Sequence, residues 1–289
     1  MPGCGFARQQ EKAIEPESNT AADHALVPGS ISVKRQGFSL ASVLAPVGVA
    51  TGVLAAWYVL SHFHVFPESA FPTPGQVVEG FLEKCRHGEI VDDVIASLYR
   101  VVFGFVLAVT LGIPLGLWMG TRPKIRMALL PAVNFFRSLS PLAWIPFAIM
   151  WLGIGDRPSI FLIFMTAFFP IVLSTCAAVA QIPNVYFRVA RDFDFGGVEL
   201  LLHVTLPAIM PQVITSLRVT AGLSWVVVVA AEMIAGRDGL GFLIWDARNL
   251  LRPDLVVVGM VIIGCIGVVL DRLISQLTRI PSIRWGYDK

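Results

Sequence analysis

Arg137, Arg218 and Glu232 lie inside long apolar runs, at 127–152 and 208–234, where a charge is costly unless it serves a path or finds a partner. Each arginine falls ten residues after the start of its run. If both runs cross a membrane in the same direction, a rise of about 1.5 Å per residue sets the two guanidinium groups at similar depth. Two planar, forked cations at one level suit a small oxyanion, with the Ser138 hydroxyl beside them. The alternative is that Glu232, Asp271 or helix-end carbonyls neutralise these arginines, leaving a brace and no path.

Other chemistry is missing. A phosphate-binding loop needs Gly-Lys followed by Ser or Thr, and glycine precedes none of Lys12, Lys34, Lys84, Lys124 and Lys289. ATP hydrolysis, if it drives this chain, must come from another chain. No nucleophile, base and acid stand in a recognisable pattern, and Ser138 and Ser140 beside Pro141 read as helix-breaking polar residues. Cys4, Cys85, Cys176 and Cys265 are scattered singly, and His24, His62, His64, His87 and His203 lack metal-ligand spacing. The expectation is therefore no enzyme, no metal and no cofactor on this chain.

The most informative stretch is 182–211, IPNVYFRVARDFDFGGVELLLHVTLPAIMP, which separates two apolar runs. Connections between spans usually need a few residues, whereas this one repeats apolar residues at helical spacing (Val189, Phe193, Gly197, Leu200) with charges between them. The reading is a short rigid helix over 186–201 that fits a partner's groove and acts as a lever, bounded by a stop at Leu206-Pro207. Tyr186, Phe187, Arg188, Arg191, Asp192, Phe193, Asp194 and Glu199 are the expected contact residues, with Ala190 and Gly197 in the same element. The turn is expected at Gly196 and Gly197.

The elements that must position these residues are membrane helices. The chain has 289 residues, 55% hydrophobic and 15% charged, with a mean hydropathy of +0.72, too apolar for a soluble domain. Runs at 38–61, 98–120, 127–152, 158–181, 208–234 and 255–275 each approach the roughly 20 residues a helix needs to cross about 30 Å of hydrocarbon. The fold expected is an all-α integral membrane protein of six spans. Domain limits follow: a polar, disordered tail over 1–37, the six-span domain over 38–280 with its loop at 182–205, and a tail over 281–289. The first run is too long for the core of a cleavable signal peptide.

Basic residues set the orientation. Lys34 and Arg35, then Arg122, Lys124 and Arg126, then Arg188 and Arg191, then Arg279, Arg284 and Lys289 all fall on one side, expected to be cytoplasmic, with both termini. The loop at 62–97, richer in Glu and Asp, faces outward. It holds its own helix, with Thr73 as cap, Pro74 in the first turn, a stripe of Val77, Val78, Phe81 and Leu82, and an end near Gly88. A formal net charge of +2 fits the topology and gives no case for nucleic-acid binding.

The loop resembles the cytoplasmic coupling loop in membrane subunits of binding-protein-dependent ABC importers, whose pattern is Glu-Ala-Ala, three residues, Gly, nine residues, Ile, one residue, Leu-Pro. Anchored on Leu206-Pro207, Val204 stands at the Ile position, Asp194 at the Gly position and Arg188-Val189-Ala190 at the Glu-Ala-Ala positions. SLYRVVFGF (97–105), FFRSLSPLAWIPFAIMWLGIG (135–155), SLRVTAGLSWVVVVAAEMI (216–234) and GLGFLIWDARN (239–249) are similar to the nitrate, sulfonate, taurine and bicarbonate branch. The resemblance implies a type I importer permease and a dimer of like permeases. It also implies two cytoplasmic ATPase subunits, an extracytoplasmic binding protein and an anionic cargo, nitrate first. A stand-alone secondary carrier or a channel is the alternative class.

Overall fold

The computed structural model describes residues 40–63, 67 and 71–277. The two expected tails, Lys34 and Arg35, Cys4, His64 and the basic residues after 277 lie outside the described residues. The chain divides into two units at Gly52–Val53, and α1 (Leu40–His62) runs through the division.

Beyond α1 the order is α2 (Pro74–Arg86), α3 (Glu89–Thr121), α4 (Pro123–Ser138), a 3-10 turn (Pro141–Trp144), α5 (Ile145–Leu152), α6 (Asp156–Ala180) and α7 (Asn184–Asp192). A short α8 (Gly197–Leu200) and a π turn (Leu201–Thr205) lead into α9 (Leu206–Ala235), followed by α10 (Leu240–Asn249) and α11 (Pro253–Leu277). Four described helices are long and apolar enough to cross a membrane: α3, α6, the rod Gly197–Ala235 and Pro253–Gln276. The pair Pro123–Ser138 and Pro141–Leu152 makes a fifth only as one span bent by 85°. α1 adds a 23-residue helix with no charge before His62.

That bend falls where Ser138, Ser140 and Pro141 were expected to break the helix within the run 127–152. Pro141 disfavours helical backbone at the residue before it, and Leu139 and Ser140 are extended (ψ 132° and 126°). Ser138 Oγ turns back to the Asn134 carbonyl at 2.8 Å. The break is therefore local in origin.

α3 and α6 form the central seam. Gly104, Ala108, Gly112, Gly116 and Gly120 recur every four residues on one face of α3, and α6 lies directly against them. A Cβ added at Gly116 would stand 2.6 Å from Thr175 Cβ and 2.8 Å from the Val172 carbonyl oxygen; at Gly120 it would stand 2.6 Å from Val179 Cβ. In lipid, where apolar side chains gain little by leaving the solvent, this close backbone approach supplies the packing. α9 closes the other side of α6, with Val228 and Trp225 packed beside Ile163, and Ile209 and Val213 beside Ala178 and Val179.

α2 starts as its residues dictate. Gln76 N–H donates to Thr73 Oγ1 at 3.3 Å and Thr73 N–H to Gln76 Oε1 at 2.8 Å, a reciprocal cap, and Gly88 takes a φ of 78° past its end. Its apolar stripe does not pack inward: Val78, Phe81 and Leu82 are exposed, and Gly80 is the buried contact, against Asp254 and Leu255.

Candidate functional site

The polar stretch forms an elbow. α7 spans nine residues, with Ala190 buried and Phe187 packed beside Ile182, Ile209 and Val213, while Tyr186, Arg188, Arg191, Asp192 and Phe193 face outward. α7 ends in a Schellman turn: Asp194 N–H donates to the Arg191 carbonyl at 3.0 Å and Phe195 N–H to the Ala190 carbonyl at 2.9 Å. Asp194 carries the left-handed backbone that this turn requires, φ 59°. The tight turn therefore starts at Asp194 rather than at Gly196, because a short polar side chain is tolerated there. Gly197 takes a second positive φ, 53°, as the next helix begins.

Two further expectations change. The lever is not one helix over 186–201 but α7, a four-residue turn and the start of a rod that continues to Ala235. Leu206-Pro207 is no stop, since a helix runs through it. The π turn precedes Pro207, with Leu206 N–H donating five residues back to the Leu201 carbonyl. Leu206 and Phe187 pack toward the chain's own core, which removes Phe187 from the outward contact set. Between α7 and the rod lies an open cleft of ≈ 1030 Å³, walled by Tyr186, Val189, Phe193, Phe195, His203 and Pro207. Phe193 is 73% exposed and Glu199 is exposed beyond it.

The expected pair of path arginines is not equivalent. Arg218 makes a two-pronged bond to Asp271 of α11, Nε to Oδ1 and Nη2 to Oδ2, both 2.7 Å. The partner foreseen as an alternative thus neutralises it. Arg137 lies in the last turn of α4 beside the break; it is exposed, and no carboxylate among the described residues pairs with it. Its crevice with Trp144 and Thr166 holds ≈ 40 Å³, room for about one water. Ser138 is exposed, its hydroxyl bound within its own helix.

Glu232 is enclosed rather than set on a path. Its side chain is fully buried, and Oε1 accepts from Arg100 Nη1 at 2.7 Å. Oε2 accepts from Ser97 Oγ at 2.9 Å and from Gly241 N–H at 3.0 Å. Arg100, 1% exposed, also donates through Nε to Asp156 Oδ1 at 2.8 Å and through Nη1 to the Asp238 carbonyl at 2.9 Å, and it bonds the Asp238 carboxylate. One guanidinium thereby joins α3, the start of α6, the end of α9 and the loop to α10. Gly239 and Gly241 let that loop close over the pair: a Cβ at Gly239 would stand 2.7 Å from both Arg100 Nη1 and Glu232 Cδ. Sequence reasoning missed Arg100, although it stands as the one charge within the apolar run 98–120.

Among the described residues Cys85, Cys176 and Cys265 are free thiols, and no group of three His, Cys, Asp or Glu could hold a metal. What the described residues offer is an exposed elbow that packs, through Phe187 and Ala190, against a helical bundle.

Residues 112–280 match the family described as binding-protein-dependent transport system inner membrane component. The taurine transport system permease protein TauC of Escherichia coli is 32% identical over 81% of this chain and 86% of its own. The bicarbonate transport system permease protein CmpB of Synechococcus elongatus is 39% identical over 64% of this chain and 67% of its own. The nitrate import permease protein NrtB of Synechocystis is 38% identical over the same two shares. The fold matches a chain of the inward-facing MetNI methionine ABC transporter, with a TM-score of 0.54 at 20% identity over 68% of this chain and 99% of that one. This chain is a permease of the binding-protein-dependent ABC importers, belonging to the family of inner membrane components that its residues 112–280 match.

Proposed function

We propose that the chain is one of two like permease subunits in an ATP-driven importer of a small anion, with the elbow at 184–207 receiving a cytoplasmic ATPase subunit. The observation that carries this reading is the elbow itself. A nine-residue helix with outward Tyr186, Arg188, Arg191, Asp192 and Phe193 is fixed by a Schellman turn to a 39-residue rod that enters the core. Movement imposed on α7 reaches the span through Ala190, Phe187 and Ile209. The basic residues Arg122, Lys124, Arg126, Arg188 and Arg191 support a cytoplasmic elbow. A binding protein delivers cargo on the opposite face.

The cargo is a small oxyanion or organic anion: nitrate, bicarbonate, taurine or another sulfonate. Relatives named for taurine, bicarbonate and nitrate resemble the chain to similar degrees, which supports the class of cargo. The pairing of Arg218 with Asp271, beside an exposed Arg137 that no carboxylate among the described residues matches, supports Arg137 as the cargo contact.

The test is Phe193→Asp in the chain co-expressed with its ATPase subunits. The expected result is normal membrane insertion with loss of ATPase co-purification and of uptake. ATPase association and uptake at wild-type levels would remove the docking assignment. For the cargo, Arg137→Lys should retain more uptake per assembled complex than Arg137→Gln; equal, near-normal uptake in both would assign Arg137 to bracing.

A further inference from the structure

The rod that leaves the elbow is not a uniform α-helix. Leu206 N–H donates to the Leu201 carbonyl and Thr205 Oγ1 to the Leu200 carbonyl at 3.2 Å, each five residues back. The turn over Leu201–Thr205 therefore holds one residue more than an α-helix of the same rise. Pro207 and Pro211 follow, each without an N–H, so the carbonyls of His203 and Pro207 have no donor four residues on. A kink would need only the prolines; the additional residue calls for its own reason.

Burial changes across the same stretch. Val198 and Leu202 are 68% and 52% exposed, whereas Thr205, Ile209 and Val213 are at 2%, 1% and 3%. The additional residue sits at the boundary between the exposed start of the rod and a helix packed into the core. His203 holds the present arrangement: its ring stacks on Phe195 (centroids 6.0 Å apart, 20° between planes), and its Nδ1 lies 3.2 Å from the Glu199 carbonyl.

We propose that Leu201–Thr205 is a slip joint in the coupling stroke, a role that rests on the elbow receiving an ATPase. In the stroke the spare residue passes one position along the rod, exchanging a five-residue hydrogen bond for a four-residue one. Each residue passed turns by about 100° and shifts by about 1.5 Å. The elbow swivels on the rod, with Phe187 bearing on Ile209 and Val213, and His203 leaves Phe195. Few bonds are given up, because Pro207, the next residue along the rod, has no backbone donor, and Pro211 lacks the one a turn further on.

The test uses the assembled permease and ATPase complex, with Cys85 and Cys265 replaced by Ser and spin labels at Val198 and Val219, both exposed. Deleting Leu202 removes the spare residue and leaves a regular α-helix with elbow and span in phase. The wild-type label separation should change with ATP. In the deletion it should not, and uptake per assembled complex should fall about tenfold or more, within the range that coupling energies span. ATPase co-purification should persist. Wild-type uptake, or a wild-type label response, in the deletion overturns the joint. If the deletion fails to assemble, Pro207→Ala decides at constant length. It gives the His203 carbonyl a donor, so the label response should shrink about twofold or more, and an unchanged response overturns the proposal. Absence of ATPase association in the wild-type complex would instead sink the elbow reading, and the joint with it.

Discussion

Arg100 and Glu232, 132 residues apart in sequence, meet at 2.7 Å with both side chains withdrawn from solvent. Every strong donor and acceptor of the pair is occupied, by Asp156, Asp238, Ser97 and Gly241. Asp156 and Asp238 are half open to solvent, so Glu232 is the one fully enclosed anion that Arg100 must match.

Removing either partner leaves a buried charge unmatched. Arg100→Met or Glu232→Leu alone should cost about 3–5 kcal/mol, seen as loss of assembled protein and a lower thermal midpoint in detergent, whereas the double substitution should recover much of that loss. Single and double variants of equal stability would show that the pair is not coupled.

The α3–α6 seam should resist added volume at some glycines only. Gly116→Ala sets a Cβ against the Val172 backbone, which cannot rotate away, and should cost about 1–3 kcal/mol. Gly222→Ala meets nothing within 4 Å and should be neutral or stabilising by about 0.4–1 kcal/mol. Thermal midpoints of the two variants, moving in opposite directions, check the contrast.

α10 closes with the same turn as α7, through Leu251 N–H to the Arg248 carbonyl and Arg252 N–H to the Ala247 carbonyl. Leu251 takes a φ of 56° and is 81% exposed, so its side chain brings strain with little burial in return. Leu251→Gly should raise stability by about 0.5–1 kcal/mol, the relief of left-handed strain less the added freedom of the unfolded chain. A fall in thermal midpoint would show that the leucine makes a contact in the assembled protein.

Arg252 ties the α10–α11 turn to α2 by two bonds to Glu83, at 3.0 and 2.8 Å. Those hydrogen bonds hold the Glu83 carboxyl below its ordinary range and the Arg252 guanidinium above its own. A carboxyl lowered on folding contributes fully above its unfolded value, about 4.3 for glutamate, and the contribution is lost as pH falls through the lower folded value. The stability difference between wild type and Glu83→Gln should be level above about pH 5 and close as the medium is acidified. It should also shrink with added salt, since the pair is exposed. A difference that grows on acidification would contradict the assignment.

The local features were legible in the sequence. Thr73-Pro74 announced α2, the apolar runs marked the spans, and the charged stretch after Pro183 marked the elbow. Ser138, Ser140 and Pro141 carried the signal for the break, yet a run of apolar residues on both sides masked how sharply the chain bends. Leu206-Pro207 read as a stop because proline cannot donate; in the first turn of α9 that donor is not needed. The Arg100 cluster needs partners 56, 132 and 138 residues away, a relation no window along the chain contains. The four-residue recurrence from Gly104 to Gly120 was readable, but only the facing backbone of α6 gives it meaning.

That seam also sets how the gene can vary. Glycine has no smaller neighbour in the genetic code, so every missense change at Gly104, Gly116 or Gly120 adds bulk where atoms of α6 already stand within 3 Å of the missing Cβ. Inherited variation along this face of α3 can run in one direction only, toward crowding. At Gly120 a smaller residue in place of Val179 compensates, whereas at Gly104 and Gly116 the Ile160 and Val172 carbonyl oxygens also stand in the way, so the α6 backbone itself must shift. The two helices should therefore diversify as a pair, while the lipid-facing or open side of α3, where Val102, Val106 and Trp118 are exposed, stays free to drift on its own.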